Sequence, residues 1–92
     1  MNLLYLLERY LKDQFPDWVP KGNITAMTWE SKNGTTFLPE TVGRTLRTLE
    51  ADSKIAVKYI GKNTLYKHIP NEMRRRYIPS SQREGEQLFV KV

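Results

Sequence analysis

Apolar residues recur along the first 15 positions at the spacing of a helix. Leu3, Leu4, Leu6, Leu7, Tyr10, Leu11 and Phe15 fall on one broad arc at about 100° per residue, with Tyr5, Glu8, Arg9 and Lys12 opposite. The pattern predicts an amphipathic helix over 3–15. Asn2 suits the N-cap, since its side chain can accept a hydrogen bond from a first-turn N–H. The arc is wider than one contact face needs, so it can cover a core and also meet a second subunit. Pro16, Asp17, Pro20 and Gly22 then break the period and mark a turn. A short second helix is expected over 24–30, capped by Asn23, with Ile24, Met27 and Trp29 facing inward. Residues 31–36 have loop composition.

The next helix has the strongest local signals. Pro39 suits a first helical position, Glu40 favours the positive end of the helix dipole, and Val42, Leu46 and Leu49 form a narrow apolar stripe. A helix over 39–52 is predicted, with Thr41, Arg44, Arg47 and Thr48 largely away from the stripe. After Ser53 the period becomes two. Ile55, Val57 and Tyr59 alternate with Ala56 and Lys58, and residues 64–69 are again β-prone, so a hairpin turning at Gly61-Lys62-Asn63 is expected. Tyr59 and Tyr66 suit packing in the strands better than stacking on bases. Pro70 stops the second strand. Residues 71–92 read as a basic and polar extension of a 1–70 domain, and 88–92 could form a strand or a partner-binding segment.

Charge changes this picture most. Residues 1–53 hold 6 basic and 7 acidic side chains, whereas 54–83 hold 8 basic and 1 acidic. A basic second half on a near-neutral first half points to a polyanionic partner. With 92 residues the chain has room for one domain, and Phe15, Trp18 and Trp29 are expected in or near its core. There is no cysteine, and hence no disulfide, thiolate metal site or thiol nucleophile. The first nine residues lack the basic start of a signal peptide, and no apolar run is long enough to cross a bilayer. A cytoplasmic protein is expected, and the Asn-x-Thr triplets at Asn23 and Asn33 then carry no meaning.

Helix, short helix, polar-faced helix and basic hairpin, in that order, form an α+β arrangement. The stretch Thr41-Val42-x-Arg44-x-Leu46-x-x-Leu49-Glu50-x-x-x-Lys54-Ile55 resembles the recognition helix and wing of the winged helix-turn-helix DNA-binding family. The resemblance covers roughly residues 24–69, with the first helix matched by position. It implies a three-helix bundle followed by a β-hairpin wing, and sequence-specific binding of double-stranded DNA by a transcriptional regulator, viral or prokaryotic. It implies that Thr41, Arg44, Thr45, Arg47 and Thr48 face DNA, with Lys58, Lys62, Asn63 and Lys67 as wing contacts. Arg74, Arg75 and Arg76 read either as a phosphate-binding arm or as an exposed tail. A homodimer would double the contacted site. Two features depart from the family: the connection 31–38 exceeds its three- or four-residue turn, and Ser53 stands where many members have glycine.

Arginine on a helix can bond guanine O6 and N7 together, and hairpin lysines can neutralise phosphates, so the chemistry suits the resemblance. Arg44 and Arg47 could instead pair with Glu40 and Glu50. Catalysis is not expected. His68 is the only histidine, and no second ligand for a metal accompanies it. Gly61-Lys62-Asn63-Thr64 looks like the end of a phosphate-binding loop, but Ala56 occupies the position of the required first glycine. No cofactor, metal or small-molecule ligand is expected, and no membrane. The alternatives are a protein-interaction winged helix within a larger assembly, or an RNA or single-strand binder acting through the hairpin.

Overall fold

The computed structural model describes residues 2–80. The elements follow as α1 (Leu3–Gln14), β1 (Val19–Pro20), α2 (Lys21–Ala26), α3 (Pro39–Ala51), β2 (Ile55–Ile60) and β3 (Asn63–His68), then a 3-10 turn over Asn71–Arg76. The strands form one antiparallel sheet in the order β1-β3-β2. This is a small α+β domain with helices packed on one sheet face. The segment 88–92, read from the sequence as a strand or a partner-binding segment, lies outside the described residues.

Each helix contributes an apolar stripe to one core. Leu3, Leu7 and Leu11 of α1, Ile24 of α2, and Val42, Leu46 and Leu49 of α3 meet Val19, Ile55, Val57 and Tyr66 from the sheet. The side chain of Asn2 caps α1 as expected, accepting from the N–H of Tyr5 at 2.9 Å. The buried part of the arc is narrower than the apolar pattern. Leu4 and Phe15 are exposed, and Phe15 lies just past the helix, before a cis peptide to Pro16.

The second helix forms three residues earlier than its expected position. It starts at Lys21 behind Pro20, so Asn23 lies within it and caps nothing. Trp29 explains the shift. It is buried outside the helix, donates from Nε1 to the carbonyl of Ile24 at 2.7 Å, and meets Tyr10 edge-on at 5.6 Å. Met27 is exposed instead of inward. The connection to α3 is therefore longer than 31–38. It is ordered by a pairing of Glu30 with Thr36 and by a turn in which Gly34 adopts φ 84°. The strand β1 was not expected in a stretch with turn composition. It is two residues long and lies at the sheet edge, where Pro20 needs no N–H partner on its outer side.

The helix α3 ends in a left-handed cap built on serine. Ser53 has φ 60°; its N–H bonds the carbonyl of Glu50 at 3.0 Å, and the Lys54 N–H bonds that of Leu49 at 3.0 Å. This pair of bonds is the Schellman arrangement, which usually places glycine at that position. The chain thus adopts the glycine geometry without the glycine, at the steric cost of a Cβ in the left-handed region. The hairpin turn is shorter than expected. Ile60 pairs with Asn63, leaving Gly61 and Lys62 as a two-residue loop, with Gly61 at φ 60° as type II′ turns require.

Pro70 directs the chain across the end of the sheet. Arg74 donates from Nε to the carbonyl of Ile69 at 2.8 Å and pairs with Glu8 of α1 at 3.2 Å. Tyr77 then reaches the free edge of β2, where its hydroxyl accepts the Val57 N–H at 3.1 Å and donates to Glu50. The buried Glu50 carboxylate also accepts the N–H of Ser80 at 2.7 Å and its hydroxyl at 2.9 Å. Residues 70–80 thus strap the end of β3 to α3.

His68 is buried where this strap begins, edge-on to Phe15 at 5.9 Å. Among the described residues its Nδ1 finds no hydrogen-bond partner. Burial lowers its pKa below the ordinary 6.5; Arg74 and Lys12 push the same way, against the opposing pull of Glu8. The unfolded chain therefore takes up a proton below about pH 6.5 that the folded chain refuses. Stability is then highest above that pH and falls as the pH drops towards the folded value. The loss has one proton's worth, about 1.4 kcal/mol per pH unit, as its upper limit. Urea unfolding of the wild type and His68→Leu between pH 5 and 8 checks this: the variant should lose that slope, and parallel curves would refute it.

Candidate nucleic-acid interface

The two faces of α3 differ sharply. Val42, Leu46 and Leu49 are at most 1% exposed, whereas Arg44, Arg47 and Thr48 face solvent. The threonines are partly occupied by their own helix. Thr45 Oγ1 donates to the Thr41 carbonyl at 2.8 Å, and Thr48 Oγ1 to that of Arg44 at 3.2 Å. Such back-bonding leaves hydroxyl lone pairs and methyl groups available outward. Thr41 and Thr45 are half-buried, so the open part of this face is carried by Arg44, Arg47 and Thr48.

Glu50, offered by the sequence as an ion-pair partner for the arginines, turns inward and holds Tyr77 and Ser80 instead. Between α3 and β2 lies a notch of about 280 Å³, lined by Arg47, Glu50, Val57, Tyr59, Tyr66 and Ser80 among others. Tyr66 is buried at its floor. Desolvation, then the nearby Tyr59, pushes its pKa up to about 12, despite the opposing Arg47 charge, so it stays a neutral donor at any physiological pH. Tyr59 is 59% exposed at the rim, and is not packed as the strand pattern suggested.

The hairpin residues divide into two groups. Lys62 and Asn63 are exposed at the tip. Lys58 and Lys67 are half-buried on the outer sheet face, where their Nζ atoms stand 4.5 and 4.9 Å from the centre of the Trp18 ring. Trp18 is accordingly half-buried on the surface of the sheet instead of in the core. The period-two pairing of lysines in a hairpin was a legible sign that they share a face, but nothing local indicated that Trp18 would join them. The three arginines of 74–76 also separate: Arg74 is used in the strap, while Arg75 and Arg76 are exposed.

Among the described residues no three His, Asp or Glu side chains converge as a metal site, and no helix is long and apolar enough to cross a membrane. In comparison with known proteins, no family model, no curated protein and no solved structure matches the chain.

Proposed function

We propose that the chain is a winged-helix module that binds double-stranded DNA and acts in transcriptional regulation by occupying a site, without catalysis. The observation that carries this reading is α3, sealed into the core along one stripe and offering Arg44, Arg47 and Thr48 on the other. A helix so mounted fits the major groove, where arginine distinguishes guanine by two hydrogen bonds. The order α1-β1-α2-α3-β2-β3 and the sheet order β1-β3-β2 support the winged-helix layout. The hairpin tip, with Lys62 and Asn63, then serves as the wing on the phosphate backbone. For a homodimer, α1 offers Leu4 and Tyr5 as exposed apolar side chains.

The reading predicts duplex binding that weakens steeply with salt. Contact with about four to six phosphates gives a log–log slope of about −4 to −5. Fluorescence anisotropy of a labelled duplex between low and physiological salt measures it, and a flat response overturns the proposal.

A further inference from the structure

The outer face of the sheet carries an arrangement that duplex binding through α3 does not use. Register sets Lys67 opposite Ala56 and Lys58 opposite Leu65, so the two lysines are diagonal neighbours on one face. Trp18 lies with them, its ring within 5 Å of both ammonium groups. Alongside runs a groove of about 410 Å³, whose walls include Phe15, Trp18, Lys67, Met73, Arg76 and Tyr77. Phe15 is 41% and Met73 52% exposed. Val57 and Tyr66 project from the opposite face into the helical core, so this surface and α3 lie on opposite sides of the sheet.

We infer that this outer face binds a single-stranded polynucleotide, separately from the α3 surface. A duplex presents phosphates and groove edges, which call for charge but not for an apolar floor. An unstacked strand also presents base faces, and these call for aromatic and apolar side chains interleaved with cations. The groove supplies both. Trp18 holds the two ammonium groups against its ring by the attraction of a cation to a π face. Phosphates draw them outward into charge pairs, and the ring face they leave takes a base. Arg76, at the other wall, receives the next stretch of backbone.

The test uses the full chain and a labelled oligothymidine of about a dozen nucleotides. Binding is expected by anisotropy, with quenching of tryptophan emission that Trp18→Phe abolishes, since Trp29 is buried. The double variant Lys58→Ala/Lys67→Ala should bind about tenfold more weakly or worse. Lys58→Arg/Lys67→Arg should restore binding to within about twofold, because cation and π contact are both kept. Arg44→Ala should leave it unchanged, and saturating unlabelled duplex should not displace the strand. The inference is overturned if the wild type does not bind the oligonucleotide, or if the double alanine variant binds it normally. It is equally overturned if Arg44→Ala weakens it as much, or if duplex competes for one shared site. Should the double variant lose its fold, Lys67→Gln alone carries the same comparison. Failure of duplex binding would leave this result standing, so the two proposals fail separately.

Discussion

Replacing Glu50 with alanine is expected to lower the stability of the domain by about 2–3 kcal/mol, more than a helix-surface substitution would. Alanine is the better helix former, so α3 itself loses nothing. The loss comes from what the carboxylate holds. It accepts the Tyr77 hydroxyl, the Ser80 N–H at 2.7 Å and the Ser80 hydroxyl at 2.9 Å, all bonds to an ionised acceptor. Such bonds are each worth about 1.5–3 kcal/mol when the partner stays buried. Tyr77 and Ser80 are half-buried, however, and can turn to water once released, which keeps the net effect below the sum. Tyr77→Phe separates the parts. It leaves the Ser80 contacts in place but removes the acceptor for the Val57 N–H at the edge of β2, and should cost about 1–2 kcal/mol. Urea unfolding of both variants and of Glu72→Ala, on the exposed side of the 3-10 turn, provides the measurement. A Glu50→Ala variant within about 0.5 kcal/mol of wild type would show that the strap is not part of the cooperative fold.

The elements with strong local signals were legible in the sequence, and those set by distant contacts were not. Asn2, Pro39, Glu40 and the stripe Val42–Leu46–Leu49 fix α1 and α3 through short-range rules, and both helices end within a residue of expectation. The second helix is displaced because Trp29, 5 residues from Ile24, bonds the Ile24 carbonyl of its last turn from outside the helix. That contact has no signature in periodicity. Two-residue β1 exists only because β3 offers it an edge, and a proline there reads as a turn when taken alone. On α3, Arg44, Arg47 and Thr48 lie on the exposed face, whereas Thr41 and Thr45 are half-buried at its margin, since a 3.6-residue repeat sorts faces but not their edges. Lys58 and Lys67 illustrate the opposite case. Alternation put them together on the face opposite Val57 and Tyr66, but only the pairing of β1 with β3 brings Trp18 over them. The basic run 74–76 likewise gave no sign that its first arginine would bind Ile69 and Glu8.

Exchange of Arg44 and of Lys62 for alanine should affect DNA binding in different ways. Arg44 projects from α3 away from the buried stripe, so its loss should leave the fold nearly unchanged. If its guanidinium bonds a guanine edge, Arg44→Ala costs about 1–3 kcal/mol on the preferred site and much less on random duplex. Lys62 is exposed in the two-residue turn at the hairpin tip, and its side chain makes no hydrogen bond to the described residues. A mobile ammonium there reaches phosphates of any sequence. Lys62→Ala should therefore weaken preferred and random duplex alike, and make the salt slope shallower by about one. Titrations of both variants against both duplexes at several salt concentrations make the comparison, with thermal unfolding unchanged as its condition. A selective Lys62 and a uniform Arg44 would transfer base reading to the wing. If neither substitution changes duplex affinity, the α3 and hairpin surface does not bind DNA. The exposed Leu38 beside the start of α3 would then make a protein partner the better reading of this face.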